Sequence, residues 1–196
     1  MNIILDVGNV LINFKPRVFL GGLFHERSLA EKIYKTIFES EEWIRLDEGV
    51  ITHKEAREIF CALEPDFQPA IMHTMDRLID MLTPITETID LLPKIKGFGH
   101  GLYYLSNYHK ELREYILKKY SFFDLFDGGV FSCDVRVTKP SALIYRLFLD
   151  KYGLVPNECV FYDDVEENVM AAQKEGINGV LFTGAENINS YLGCSV

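Results

Sequence analysis

Five short apolar runs constrain this chain more than any other feature: Ile3–Leu5, Leu102–Leu105, Val130–Phe131, Val160–Tyr162 and Val180–Phe182. Each reads as a strand buried on both faces, the habit of parallel sheets. Helical patterns lie between the later runs. Thr83 before Pro84 predicts an N-cap with proline at the first helical position, opening a helix through Ile95. Ser141 predicts the cap of ALIYRLFLDKY, which Gly153 closes, and EENVMAAQKE stops at Gly176. Strands alternating with helices of this length form right-handed βαβ units. The expected fold class is therefore α/β, with a Rossmann-like parallel sheet.

Between the first strand and the second the pattern changes. Ser28-Leu-Ala-Glu31 and Thr52-His-Lys-Glu55 both have the spacing of a capping box, and each predicts a helix start. Leu29, Ile33 and Ile37 recur at helical spacing, as do Ala56, Ile59, Phe60 and Leu63, and Ile71, Met75, Leu78 and Leu82 form a third stripe. The expected organisation is a core of residues 1–14 and 84–196, interrupted by a small helical domain over residues 15–83. An insertion at that point stands over the carboxyl ends of the strands, where open α/β sheets bind ligands. It is expected to be a cap.

Bulk properties narrow the function. The net charge of −9 argues against a nucleic-acid groove, which needs clustered Lys and Arg. No apolar stretch approaches the roughly 20 residues of a membrane span, and Asp6 breaks the only apolar run near the start, so neither a membrane partner nor a signal peptide is expected. Cys61, Cys133, Cys159 and Cys194 lie far apart with no close pair, which predicts reduced thiols and a cytoplasmic protein.

Four stretches end or closely follow strands: Asp6-Val-Gly-Asn, Ser106-Asn107, Lys139-Pro140 and Asp163-Asp164. Singly the first three read as caps, turns or a solvated loop charge, whereas the adjacent carboxylates Asp163 and Asp164 repel each other unless something positive sits between them and their neighbours. Together their charges balance. Asp6, Asp163 and Asp164 bring three negative charges, and a divalent ion with Lys139 brings three positive ones. Carboxylates, carbonyls and waters are the ligand set that suits Mg²⁺. A phosphate dianion would then be held by the metal, Lys139, the Ser106 hydroxyl and backbone N–H groups of the glycine turn. An ionised carboxylate facing phosphorus is a competent nucleophile.

These stretches, in this order and spacing, resemble the haloacid dehalogenase superfamily of Asp-nucleophile hydrolases. DVGNVLINF matches its first motif, LSN the second, VFSCDVRVTKPSALIY the third region and VFYDDVEENVMAA the fourth. The helical insertion after the first strand matches the cap of its first subclass. The order Asp-x-Gly-Asn resembles a group of small bacterial proteins that includes an α-glucose-1-phosphate phosphatase. The resemblance implies that Asp6 is nucleophile and Mg²⁺ ligand and that the Gly8 carbonyl also binds the metal. It makes Ser106 with Asn107 the phosphate-binding turn, and Lys139 the link between phosphate and nucleophile. Asp164 becomes the direct metal carboxylate, with Asp163 acting through water or from behind, and Asn168 either supports the site or lies on a helix surface. The family's sheet order puts the Asp6 strand in the middle, flanked by those leading to Ser106 and Asp163.

The sequence departs from the common phosphatase pattern at Gly8, where a second Asp usually serves as general acid and base. Losing such assistance slows turnover by ~10²–10⁴-fold without removing nucleophile or metal. His109 is a possible substitute, or else a surface loop histidine, and His53 is a weaker one. Arg45, Asp47 and Glu48 read as cap residues or as a solvated charge run. The expected activity is a Mg²⁺-dependent phosphatase acting through an aspartyl-phosphate on a small phosphorylated metabolite, with a sugar phosphate favoured. The rival readings are a sugar phosphomutase, a haloacid dehalogenase proper, and a non-catalytic or very slow phosphate-binding regulator. A monomer and a homodimer are both compatible with the sequence.

Overall fold

In a computed structural model, which describes residues 1–193, all five apolar runs fall in strands, although Phe182 lies just past the last strand, an edge strand that is not buried on both faces. The strands are β1 (Asn2–Leu5), β2 (Gly101–Ser106), β3 (Gly128–Phe131), β4 (Cys159–Asp163) and β5 (Asn178–Leu181), in one parallel sheet of order β3-β2-β1-β4-β5. Leu5 pairs with Tyr104 on one side and Tyr162 on the other, so Asp6, Ser106 and Asp163 leave the sheet at the same edge. This is the topological switch point, where chains diverge from the central strand and leave a crevice.

Five helices separate β1 from the end of the helical excursion: α1 (Pro16–Leu23), α2 (Arg27–Phe38), α3 (Glu41–Asp47), α4 (His53–Leu63) and α5 (Gln68–Asp76). Next come α6 (Thr86–Ile89) and α7 (Leu92–Gly97) before β2, then α8 (Lys110–Lys119), α9 (Ser132–Val135), α10 (Ala142–Tyr152), α11 (Glu166–Lys174) and α12 (Ala185–Gly193). The side-chain period of two splits β1 between faces. Ile3 and Leu5 join an apolar cluster that runs on through Val10, Leu11 and Ile12 into Ile33, Phe60 and Ile71 of the excursion, whereas Ile4 packs with Tyr145, Phe148 and Phe161. No helix among the described residues is long and apolar enough to cross a membrane. Cys61, Cys133 and Cys159 are free thiols, and Cys194 lies outside the described residues.

Three local expectations are corrected. No helix starts at Pro84. The Asn13 N–H donates to the Thr83 carbonyl (2.8 Å) and the Ile85 N–H to the Leu11 carbonyl (2.8 Å), an antiparallel pairing that delays the helix to Thr86. Thr52 does form its capping box with Glu55, but Ser28 does not. Its hydroxyl turns to Glu26, Glu31 pairs with Arg17, and α2 begins at Arg27, two residues before the start that a Ser28 cap would set. The stripe from Ile71 to Leu82 is not one helix, because α5 ends at Asp76 and a short 3₁₀ turn carries Leu78.

Candidate active site

The loop after β1 is tightly built. The Asp6 N–H continues the sheet ladder to the Tyr162 carbonyl, and the Val7 carbonyl accepts from both Leu11 and Ile12. Asn9 sits in the left-handed region (φ 53°), which its short polar side chain tolerates better than most. That side chain ties two segments together, accepting from the Phe14 N–H (2.9 Å) and donating to Asp164 Oδ2 (3.0 Å).

Lys139 lies at the centre of the site and is almost wholly enclosed. Its Nζ donates to Asp6 Oδ1 (2.7 Å), Asp163 Oδ2 (2.6 Å) and the Leu105 carbonyl (3.0 Å), which uses all three of its protons. Burial disfavours the ammonium, but the Asp6 and Asp163 carboxylates outweigh it and hold the lysine above its ordinary value. The reverse holds for Asp6. Burial pushes its carboxyl up to about 7, with Lys139 pulling it down and Asp163 pushing it further up.

The rest of the cluster is satisfied from the protein. Asp163 also accepts from the Val165 N–H (2.8 Å) and, through both oxygens, from Asn168 Nδ2 at 3.0 and 3.1 Å. Asn168 is thus a buried partner of the acid pair and not a surface residue. Asp164 is half-buried and raised by that burial, against the pull of the Asn9 hydrogen bond. Ser106 ends β2 and is buried, and its side chain helps to draw the Asp6 carboxyl down against the effect of burial. The Asn107 side chain brackets the backbone of Lys139, donating to its carbonyl (3.0 Å) and accepting from its N–H (2.8 Å).

Asp6, Asp163 and Asp164 each present an oxygen within 4.8 Å of the others. With Lys139 they carry two surplus negative charges, which a divalent cation would cancel. The donors are all hard oxygens, as Mg²⁺ requires. Asp163 already has hydrogen bonds on both oxygens, so Asp6 and Asp164 are the carboxylates better able to face an ion.

A cavity of about 200 Å³ opens over this cluster, and Asp6, Gly8, Ser106, Asn107, Lys139 and Asp164 all line it. The opposite wall is mostly apolar, built by Phe14, Trp43, Tyr108, Leu112 and Val165, with Asp47, His109 and the Tyr108 phenol as its titratable groups. His109 is buried, its Nδ1 3.2 Å from Glu111 Oε2 and its ring against His53 and Trp43. Of the charge run, Asp47 reaches the cavity, while Arg45 is exposed. Sequence reasoning gave no separate role to Asn9 and none to the aromatic wall. The signal for Asn9 was an asparagine straight after a strand-ending glycine turn, where left-handed backbone is common.

The model of the haloacid dehalogenase-like hydrolases matches residues 1–176. The sesquiterpene phosphatase astK of Aspergillus oryzae is 27% identical over 180 residues, covering 92% of this chain and 88% of that protein. The drimenol cyclase drtB of Aspergillus calidoustus is 26% identical over 97% of this chain, which spans only 35% of that longer protein. Among solved structures, a HAD family enzyme of Bacteroides thetaiotaomicron is similar in fold, with a TM-score of 0.75, 21% identity and 97% of each chain covered. The wild-type form of that enzyme in complex with magnesium and inorganic phosphate has a TM-score of 0.72 and 23% identity over 93% of this chain and 94% of its own.

Proposed function

Because the chain belongs to the haloacid dehalogenase-like hydrolases, we propose that it is a Mg²⁺-dependent phosphatase of small phosphorylated metabolites. One observation carries this reading: three carboxylates converge within 4.8 Å while a buried lysine bridges two of them at the floor of a cavity. A structural ion pair does not need the third acid, and a surplus of buried negative charge is unfavourable without a cation.

In this reading Asp6 attacks phosphorus, and Lys139 holds the nucleophile and the phosphoryl oxygens in one frame. The Ser106 hydroxyl and the backbone of the Asn107 turn bind the phosphate. Asp6, Asp164 and the Gly8 carbonyl would hold Mg²⁺, with Asp163 fixing the arrangement from behind. The ion's contribution is to neutralise the phosphoryl oxygens so that a carboxylate can approach them. Residues 15–83 act as the cap, and residues 1–14 with 84–196 as the core. Trp43 and Asp47 of α3 bring the cap to the cavity wall.

Two substrate classes have support. The Asp-x-Gly-Asn order favours kinship with the bacterial group that includes a glucose-1-phosphate phosphatase, and so a sugar phosphate. The Phe14, Trp43, Leu112 and Val165 wall favours an apolar alcohol, in keeping with the sesquiterpene phosphatase among the relatives. Hydrolysis of hexose phosphates and prenyl monophosphates, with Mg²⁺ and with chelator, decides between them. Activity is expected to need Mg²⁺ and to vanish in Asp6→Asn. Turnover that survives either change would sink the mechanism, and phosphate binding without turnover would leave the non-catalytic reading.

A further inference from the structure

Gly8 leaves the site without a carboxyl beside Asp6, so a poor leaving group needs its proton from elsewhere. The titratable side chains lining the cavity are Asp6, Asp47, Tyr108, His109, Lys139 and Asp164. Lys139 has no free proton, since Asp6, Asp163 and Leu105 take all three. Asp164 belongs to the acid cluster and accepts from Asn9. The Tyr108 hydroxyl and His109 Nε2 are buried and make no hydrogen bond among the described residues, and the His109 ring is engaged through Nδ1 with Glu111. Burial also raises the Tyr108 phenol far above its ordinary range. Asp47 remains, the last residue of α3.

Asp47 is fixed from the core, although its helix belongs to the excursion. Its carbonyl accepts from Ser132 Oγ (2.6 Å), and the same Oγ accepts from the Tyr108 N–H (2.9 Å). Two residues on, Gly49 has φ +66°, and a Cβ there would stand 3.0 Å from the Cys133 carbonyl oxygen and 3.2 Å from its Cα. The turn carrying Asp47 is pressed onto α9 and cannot drift from the cavity without breaking these contacts.

We propose that Asp47 is the proton donor and acceptor of the phosphatase reaction, in place of the carboxyl that Gly8 lacks. This rests on the phosphatase reading above. As Asp6 bonds to phosphorus and the ester P–O bond breaks, the Asp47 proton passes to the departing alkoxide. In the second half a water bonds to phosphorus and gives its proton to the Asp47 carboxylate. The bond from phosphorus to Asp6 breaks, releasing inorganic phosphate and restoring both side chains. Burial pushes the Asp47 carboxyl up to about 6, while the neighbouring His109 and a hydrogen bond from Trp43 draw it down. The other titratable groups facing it are Tyr108 and Cys133, with Glu111 behind His109.

The test compares n-hexyl phosphate, whose alkoxide must be protonated, with p-nitrophenyl phosphate, whose phenolate departs readily. Both are measured on the whole protein with Mg²⁺. For Asp47→Asn, kcat/KM on hexyl phosphate is expected to fall about 10²-fold or more, and on the aryl ester at least tenfold less. Adding Gly8→Asp to that variant is expected to restore hexyl phosphate hydrolysis at least tenfold, since a Cβ at Gly8 meets no atom nearer than 3.8 Å. Equal losses on the two esters, or no loss on either, would overturn the proposal. Wild-type turnover of the aryl ester alone would overturn it and leave the phosphatase reading intact, whereas turnover of neither ester would count against both.

Discussion

Asn107 and Lys139, 32 residues apart, hold each other by a reciprocal pair: the amide of one donates to the carbonyl of the other and accepts from its N–H. The lysine that meets Asp6 is thus aimed from its own backbone. A side chain with four rotatable bonds would otherwise pay substantial entropy to sit in one place.

Removing that clamp should be costly to function and mild for folding. Asn107→Ala is expected to lower phosphatase kcat by about 10²-fold, the scale of an ångström's misplacement. Kinetics run beside circular dichroism check this, and an active Asn107→Ala enzyme would show that the nitrogen is aimed by its carboxylate partners alone.

Lys139→Met leaves Asp6 and Asp163 facing each other with no cation. It is expected to destabilise the fold by about 3 kcal/mol at pH 8, as breaking a buried pair does. Adding Asp163→Asn should recover a large part of that loss. Urea denaturation of the single and double variants measures both.

Asn9 combines a backbone role with a side-chain role, and glycine separates them. Asn9→Gly keeps the left-handed turn but loses the bond to Asp164. It is expected to weaken Mg²⁺ activation by roughly 10–100-fold, the usual effect of losing a partner behind a metal ligand. Activity titrated against Mg²⁺ gives the answer. Asn9→Ala should show the same deficit plus a loss of stability from strain at φ 53°.

Asp47 should trade stability for activity. Its folded-state pKa of about 6 lies above the ordinary aspartate value of ~3.9, so the fold favours the neutral form. That preference is satisfied below pH ~3.9 and becomes a penalty as pH rises through about 6. Asp47→Asn is therefore expected to be more stable than wild type by about 2 kcal/mol at pH 8, with the gap closing towards pH 4. Thermal melts at the two pH values test it, and a gap that does not change with pH would exclude a buried titrating carboxyl.

The strands β1, β3 and β4 were legible because a strand buried on both faces is a continuous apolar word, whereas β5, at the sheet edge, is short and only partly buried. Asp6, Ser106, Lys139 and Asp163 were legible because each follows such a word closely. Caps were less so. Thr52 and Ser28 share a pattern, yet Arg17, eleven residues upstream of Ser28, captured the glutamate that the second box needed. The helix expected from Thr83 lost to hydrogen bonds with residues 11–13, which no local window contains. Asp47 was hidden for a different reason. A carboxylate between Arg45 and Glu48 looks solvated until Ser132, 85 positions away, holds its backbone at the cavity.

The pairing of residues 11–13 with residues 83–85 has one more consequence. The chain departs from the sheet and returns to it through a single hydrogen-bonded gate, so the sheet registers everything between as a loop with fixed ends. Closing such a loop costs only ~0.6 kcal/mol more for each doubling of its length. A helical layer of another size could be spliced in at this junction, provided that it offers Val10, Leu11 and Ile12 an apolar face. The loop that carries Asp6 would then keep its shape while the chamber above it changed, which is a route by which one hydrolase floor acquires different ceilings.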